Sequence, residues 1–215
     1  MLTTVAWQLG SQPAVYALEG AIFVTGAAVQ WLRDGLNIID ASSEVGPLAE
    51  SVPDAGGVVL VPAFAGLGSP WWDAYARGAI FGITRGTTRA HFARATVESM
   101  VMQTRDVVDA MTRASGVAIR DLRVDGGAAV MNLMLQMQAD QLGVDVLRPT
   151  ELETTAIGAA YLAGLAEGVW GSTDDIASRW ALERRFTPSA DAATRDAAHA
   201  QWLRAVERSR AWLPS

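Results

Sequence analysis

The spacing of apolar positions divides this chain into elements before any other property is considered. Apolar and β-branched runs at LTTVAWQ (2–8) and AVYALEG (14–20) flank the turn-rich LGSQP, which predicts a β-hairpin. Within AIFVTGAAVQWLRDG (21–35) a helix is expected from about Ala27 to Asp34, with Gly35 as its stop. ASSEVGPLAESV (41–52) reads as a short helical piece opened by Ser42 or Ser43, and GGVVLVPAF (56–64) as a buried strand. The glycine-rich stretch 65–86 predicts a long structured loop with a short strand at Ala79–Ile83.

From Thr88 to about Ser115 the period is helical. Ala93, Val97, Met100, Val101, Val107, Val108 and Met111 share one stripe. On the other side Arg94–Glu98 and Arg105–Asp109 are set for i,i+4 ion pairs, and Gly116 ends the helix. Then strands and helices alternate. IRDLRVDGG (119–127) is a strand and turn, Val130–Leu142 a helix stopped by Gly143, VDVLRP (144–149) a strand, and Glu153–Gly168 a helix. This order argues an α/β fold with a parallel or mixed sheet covered by helices. A last amphipathic helix is expected over Ala192–Trp212, capped by Asp191 and anchored by Trp202, Val206 and Trp212. SSEV (42–45) and GSTDD (171–175) read as junctions between elements.

Composition narrows the chemistry. Half of the 215 residues are hydrophobic, enough for a sizeable core, and the formal net charge of −6 argues against nucleic acid as a partner. There is no cysteine, hence no disulfide framework, thiolate nucleophile or zinc–cysteine site, and a cytoplasmic location is expected. The opening MLTTVAWQLG lacks the features of a secretory signal, and AIGAAYLAGLAEGVW is too short to span a bilayer. His91 and His199 are the only histidines and lie on expected helices without a ligand pattern, so structural roles are expected. Most carboxylates fall at helical spacing and read as solvated. Asp73, after Trp71–Trp72, reads as a turn former, and Asp125 as a cap of its turn. Neither GxGxxG, GxxxxGK[ST] nor GxSxG occurs.

VDGGAAVMN (124–132) is the one stretch with a plausible ligand edge. Gly126 and Gly127 follow a strand and precede a helical pattern, where open α/β sheets bind ligands. A glycine there either permits positive φ in a tight turn or lets a ligand lie on the main chain. From the residues alone both readings stay open.

Four stretches taken together say more: YALEGAIFVTGAAVQWLRD (16–34), VPAFAGLGSPWWDAYARGAIFGITRG (61–86), VDGGAAVMNLMLQMQADQLG (124–143) and RPTELETTAIGAAYLAGLAEGVW (148–170). In this order they resemble the C-terminal half of the FGGY family of carbohydrate kinases, over nearly the whole chain. The second stretch resembles the glycerol-phosphorylating branch rather than the pentulose kinases. The resemblance implies an actin-like, ribonuclease-H-like lobe with a mixed sheet and helices on both faces, truncated at its N-terminal edge. It makes residues 1–215 the nucleotide-side lobe of a two-lobed enzyme whose N-terminal lobe is absent. It also implies ATP-dependent, Mg²⁺-assisted phosphoryl transfer to a terminal hydroxyl of glycerol, giving glycerol 3-phosphate.

Site residues follow only where motifs match. Gly26 and Gln30 resemble nucleotide-contacting positions, and Gly126 and Gly127 resemble the family's adenosine-binding diglycine. Where the family often carries an asparagine for the adenine edge this chain has Met131, with Asn132 next. Methionine packs but donates no hydrogen bond, so adenine recognition is expected to differ here. The base carboxylate, a phosphate-contacting Thr-Gly and the glycerol contacts lie upstream in the family, so no catalytic residue and no metal ligand is assigned. Partners expected are the nucleotide, the N-terminal lobe and further copies of the chain. The alternatives are a non-catalytic nucleotide-binding or interaction module, and the same lobe of a kinase for another polyol or sugar.

Overall fold

The computed structural model describes residues 1–214. The expected hairpin is present. β1 (Leu2–Trp7) pairs antiparallel with β2 (Val15–Glu19), from Leu2↔Glu19 to Trp7↔Val15, with a bulge between Val5 and Trp7. Gly10 closes the turn at φ 55°, a conformation glycine adopts without steric cost. α1 (Gly26–Asp34) buries Ala28, Val29 and Leu32, which sit at helical spacing on one face. A 3₁₀ turn at Ser42–Glu44 leads into α2 (Val45–Glu50), as the short helical reading anticipated.

β3 (Val59–Val61) and β4 (Ala79–Phe81) form an antiparallel pair, so the strand expected to reach Ile83 is shorter. It stops because Gly82 turns at φ 80° directly against the Gly57 carbonyl, where a Cβ would come within 2.0 Å. The loop between them is structured, and Gly68 explains part of its glycine content. A Cβ there would meet the Ala21 carbonyl oxygen at 2.1 Å. The Ser69 N–H donates to that same oxygen at 2.8 Å.

α3 (Arg89–Ser115) runs 27 residues, about 40 Å at 1.5 Å per residue. The Thr88 N–H donates to Nδ1 of His91 at 3.0 Å, which gives that histidine a capping role. Gly116 ends the helix at φ 70°. Ala93, Val97, Met100, Val101 and Val107 are buried as the stripe requires, whereas Val108 and Met111 are only partly so. Both ion pairs form, Arg94–Glu98 at 2.9 Å and Arg105–Asp109 at 3.6 Å.

β5 (Asp121–Arg123) opens the next segment. A 3₁₀ turn at Gly127–Val130 and α4 (Asn132–Leu142) connect it to β6 (Asp145–Pro149). α5 (Thr154–Ala166) buries none of its residues. α6 (Thr173–Ala177) and β7 (Leu182–Phe186) were not foreseen. α6 grows out of the expected junction, with the Ser172 hydroxyl accepting from the Asp175 N–H at 3.1 Å. β7 escapes a hydrophobic reading because only Phe186 of its five residues is buried. The sheet is mixed, in the order β5–β6–β7, parallel on one side of β6 and antiparallel on the other. Its core joins Leu135 and Ala139 of α4 to Val146 and Phe186.

α7 (Ala192–Ser209) closes the chain, with the Asp191 carboxylate accepting from the Thr194 N–H at 2.7 Å. Trp202 and Val206 anchor it, packed with Val61, Leu67 and Met102. Trp212 is no anchor. The helix stops at Ser209, Arg210 is extended, Ala211 has φ 46°, and Trp212 is 70% exposed.

The chain divides into two compact units, Met1–Ile119 with Asp191–Ser215, and Arg120–Ala190. No helix among the described residues is long and apolar enough to cross a membrane.

Candidate functional site

Within the second unit the diglycine lies where β5 gives way to the 3₁₀ turn. Gly126 has φ 77° and ψ 179°, a region that essentially only glycine occupies, and its N–H donates to the Leu152 carbonyl at 2.9 Å. Gly127 differs. Its φ is not positive, and a Cβ built there meets no atom within 4 Å. Gly126 is therefore glycine for the turn, whereas neither backbone conformation nor internal packing requires glycine at 127. The helical pattern does not begin at once. The turn ends at Val130, Met131 is extended at φ −84° and ψ 101°, and α4 starts at Asn132. Met131 thus occupies the N-cap position just outside the helix, with no side-chain cap hydrogen bond. Asp125 is exposed and the turn carries no side-chain cap, contrary to the role expected for it.

Asn132 is held by Arg148, which the sequence reading did not single out. Arg148 is 9% exposed on β6, and its Nη1 donates to Oδ1 of Asn132 at 3.0 Å and to the Ala129 carbonyl at 2.9 Å. Its other face meets Glu183, Nε to Oε2 at 2.6 Å and Nη2 to Oε1 at 3.2 Å. This fork holds the Glu183 carboxyl below the usual range, chiefly through the hydrogen bond from Arg148. The pair ties the turn to the strands behind it. An arginine directly before a proline at a strand end was the available signal, but sequence could not supply its partners.

In the first unit Gly26 is the first residue of α1, with Thr25 at the N-cap position. Gly26 and Gln30 are exposed, opposite the face buried by Ala28, Val29 and Leu32. A Cβ on Gly26 also meets nothing within 4 Å. The approach to this helix is fixed from behind, where Nε2 of the buried Gln103 donates to the Val24 carbonyl at 3.0 Å.

A second cluster in this unit is structural. Asp106 is 4% exposed, an exception to the expectation of solvated carboxylates. Its Oδ1 lies 2.7 Å from Nε2 of His199, and its Oδ2 accepts from the indole N–H of Trp202 at 2.8 Å and of Trp71 at 3.3 Å. Asp73 is a turn former as expected. It accepts from the N–H groups of Tyr75 and Ala76, both at 2.9 Å, and also from Ala211 at 2.9 Å. Burial would push its carboxyl up, but these bonds outweigh it and hold the group below its usual range.

Among the described residues no group of three His, Asp or Glu side chains is disposed to hold a metal ion.

Comparisons with known proteins agree with this layout. The model of the C-terminal domain of the FGGY family of carbohydrate kinases matches residues 3–167. A glycerol kinase of Saccharolobus islandicus (strain L.S.2.15 / Lassen #1) is 56% identical over 212 residues, 99% of this chain and 42% of the relative. Glycerol kinase 2 of Thermotoga maritima is 58% identical over the same length and coverage. Among solved structures, Plasmodium falciparum glycerol kinase with ADP superposes with a TM-score of 0.87 at 34% identity, over 97% of this chain and 42% of that one. A xylulose kinase of Rhodospirillum rubrum gives 0.74 at 27% identity, over 91% and 40%. The chain thus spans about 42% of the length of the curated relatives it matches. Domain match, sequence identity and superposition agree: the chain belongs to the FGGY family of carbohydrate kinases, through their C-terminal domain.

Proposed function

We propose that this chain is the nucleotide-side lobe of an ATP-dependent glycerol kinase, and that it binds the adenosine part of ATP against the Gly126–Gly127 turn. The observation that carries the reading is Gly127. Nothing in the chain demands glycine there, and an added Cβ would project into open space, with no atom within 4 Å. A bare peptide plane at that point suits a purine nucleoside. Within the first unit taken by itself, Gly26 and Gln30, exposed on one face of α1, are proposed as nucleotide-contacting positions. The relatives support the reading by name, and the Plasmodium falciparum structure was solved with ADP.

In the proposed reaction a terminal hydroxyl of glycerol attacks the γ-phosphorus, the bond to the ADP oxygen breaks, and a carboxylate accepts the hydroxyl proton. That carboxylate and the glycerol contacts are assigned to the part of the relatives that this chain does not span. Mg²⁺ would neutralise phosphate charge when bound, and no residue here is assigned to hold it. The role of the residues present is to bind and orient the nucleoside.

The test uses the eight tryptophans as reporters. Titration with ATP or ADP and Mg²⁺ is expected to give a saturable fluorescence change, weakened at least about tenfold in Gly127→Leu, the loss expected when a side chain fills the nucleoside's place. A flat response to millimolar nucleotide would reject the reading. The 215-residue chain by itself is expected not to phosphorylate glycerol. Turnover above a contamination control would show the active site to be misassigned.

A further inference from the structure

We infer that a cavity in the first unit, lined by Arg77 and two aromatic rings, is a binding site for a small carboxylic acid with an apolar body. The inference goes beyond the nucleotide reading above and does not rest on it.

The cavity holds about 370 Å³, toward the lower end of the range for small-molecule sites. Trp31 of α1, Leu60 of β3, Ile80 of β4, and Phe64, Arg77 and Gly78 of the loop between those strands line it. Its apolar part is built on the core. Leu60 is 3% exposed, and Trp31 and Ile80 pack on the cluster of Ala55, Val58, Leu60 and Ala95. The rings of Trp31 and Phe64 stand 5.1 Å apart, tilted by 56°. Glycine at 78 leaves Phe64 its place, since a Cβ there would come within 2.8 Å of Cδ1 of the ring. Arg77 is the only charged residue of the lining.

The ligand class follows from how Arg77 is held. Its Nη1 donates to the carbonyls of Ala74 at 2.9 Å and Ala76 at 2.6 Å, and its main-chain N–H donates to the Ser209 carbonyl at 3.3 Å. Arg148 is held in the same way, with Nη1 on the carbonyls of Ala129 and Val130. There the remaining edge, Nε with Nη2, takes both oxygens of Glu183. Arg33 uses that edge too, on Asp34. In Arg77 the Nε–Nη2 edge has no partner among the described residues. A guanidinium carries donors only, and this planar edge matches a carboxylate bidentately. A carboxylate therefore completes the arrangement that Glu183 completes for Arg148. An aryl or alkyl body attached to it covers Trp31 and Phe64, which a bare inorganic anion would leave uncovered.

The experiment titrates hydrocinnamate, its neutral amide and acetate into the isotope-labelled chain at neutral pH and follows the indole N–H of Trp31 by NMR. Trp31→Phe assigns that signal. Hydrocinnamate is expected to shift it saturably at millimolar concentration. The amide should bind at least about tenfold more weakly, the scale of a charge-assisted bidentate contact, and acetate more weakly than hydrocinnamate for want of a body. Arg77→Met should erase the preference for acid over amide. Arg77→Lys should keep only part of it, because an ammonium is a point charge without the planar edge. Circular dichroism and the thermal midpoint confirm folding. Equal affinity for acid and amide, a full acid preference in folded Arg77→Met, or no saturable shift with hydrocinnamate overturns the inference. So does acetate binding as tightly as hydrocinnamate, which would make Arg77 an anion contact without an apolar subsite. Should Arg77→Met fail to fold, the comparison of acid with amide on the wild type and Arg77→Lys decides.

Discussion

Asp106 shows how one residue can hold three elements. Its carboxylate accepts from His199 and Trp202 of α7 and from Trp71 of the glycine-rich loop, all while 4% exposed. Removing it strands buried donors, whose desolvation is then uncompensated. Asp106→Ala is expected to cost about 3 kcal/mol or more, and Asp106→Asn less, because the amide keeps one acceptor. Urea denaturation followed by tryptophan fluorescence measures both. Glu183 supplies a pH signature. Its carboxyl titrates lower in the folded chain than in the unfolded one, chiefly because Arg148 donates to it. The folded state therefore gains from the ionised form, fully above the unfolded glutamate range, and loses that gain as pH falls through the folded value. The difference in thermal midpoint between wild type and Glu183→Gln should be present at pH 7 and shrink below about pH 4.

At the scale of elements, legibility followed how much each one's own residues dictate. α3 could be read from its stripe and from Thr88 and Gly116 because a long helix repeats its burial pattern many times. Gly116→Ala tests that reading. At φ 70° a Cβ is strained although nothing is near it, so a loss of about 1 kcal/mol is expected in chemical denaturation. β7 was not legible, since LERRF takes its place from pairing with β6 and not from its own pattern. The C-terminal end of α7 was overestimated for a related reason. Apolar period runs on to Trp212, but Asp73 accepts from the Ala211 N–H at 2.9 Å and draws the chain out of the helix. α4 began two residues later than its apolar period, because Gly126 at φ 77° starts a 3₁₀ turn that Met131 then breaks.

On the scale of the whole molecule the hairpin, like α5, buries none of its residues. All six residues of β1 are exposed, Trp7 at 49% and Val5 at 52%, and Tyr16 of β2 at 65%. Among the described residues each strand pairs only with the other, which leaves an edge on both sides, and Glu19 is the sole charged side chain of the pair. Edges without lysine or proline to guard them invite pairing with another chain. Self-association of the 215-residue chain is therefore expected, and size-exclusion chromatography with light scattering should show species above one chain mass. Glu or Lys at Val5 and Tyr16 should shift them toward the single chain. A wild type that elutes as one chain at every concentration contradicts this.

The sequence by itself determined the helical and strand periods, the capped ends of α3, the diglycine junction and membership of a kinase family, because these depend on neighbours a few residues apart or on motifs read in order. The tertiary structure alone decided what each glycine is for. Gly68 and Gly82 make room for carbonyls, Gly126 makes a turn, and Gly127 does neither. It alone set Arg148 against Asn132 and Glu183, and Asp106 against His199 and Trp202. These partners lie between 16 and 96 positions apart. Hydrogen bonding between groups so far apart along the chain has no period, and only the folded path brings them within 3 Å.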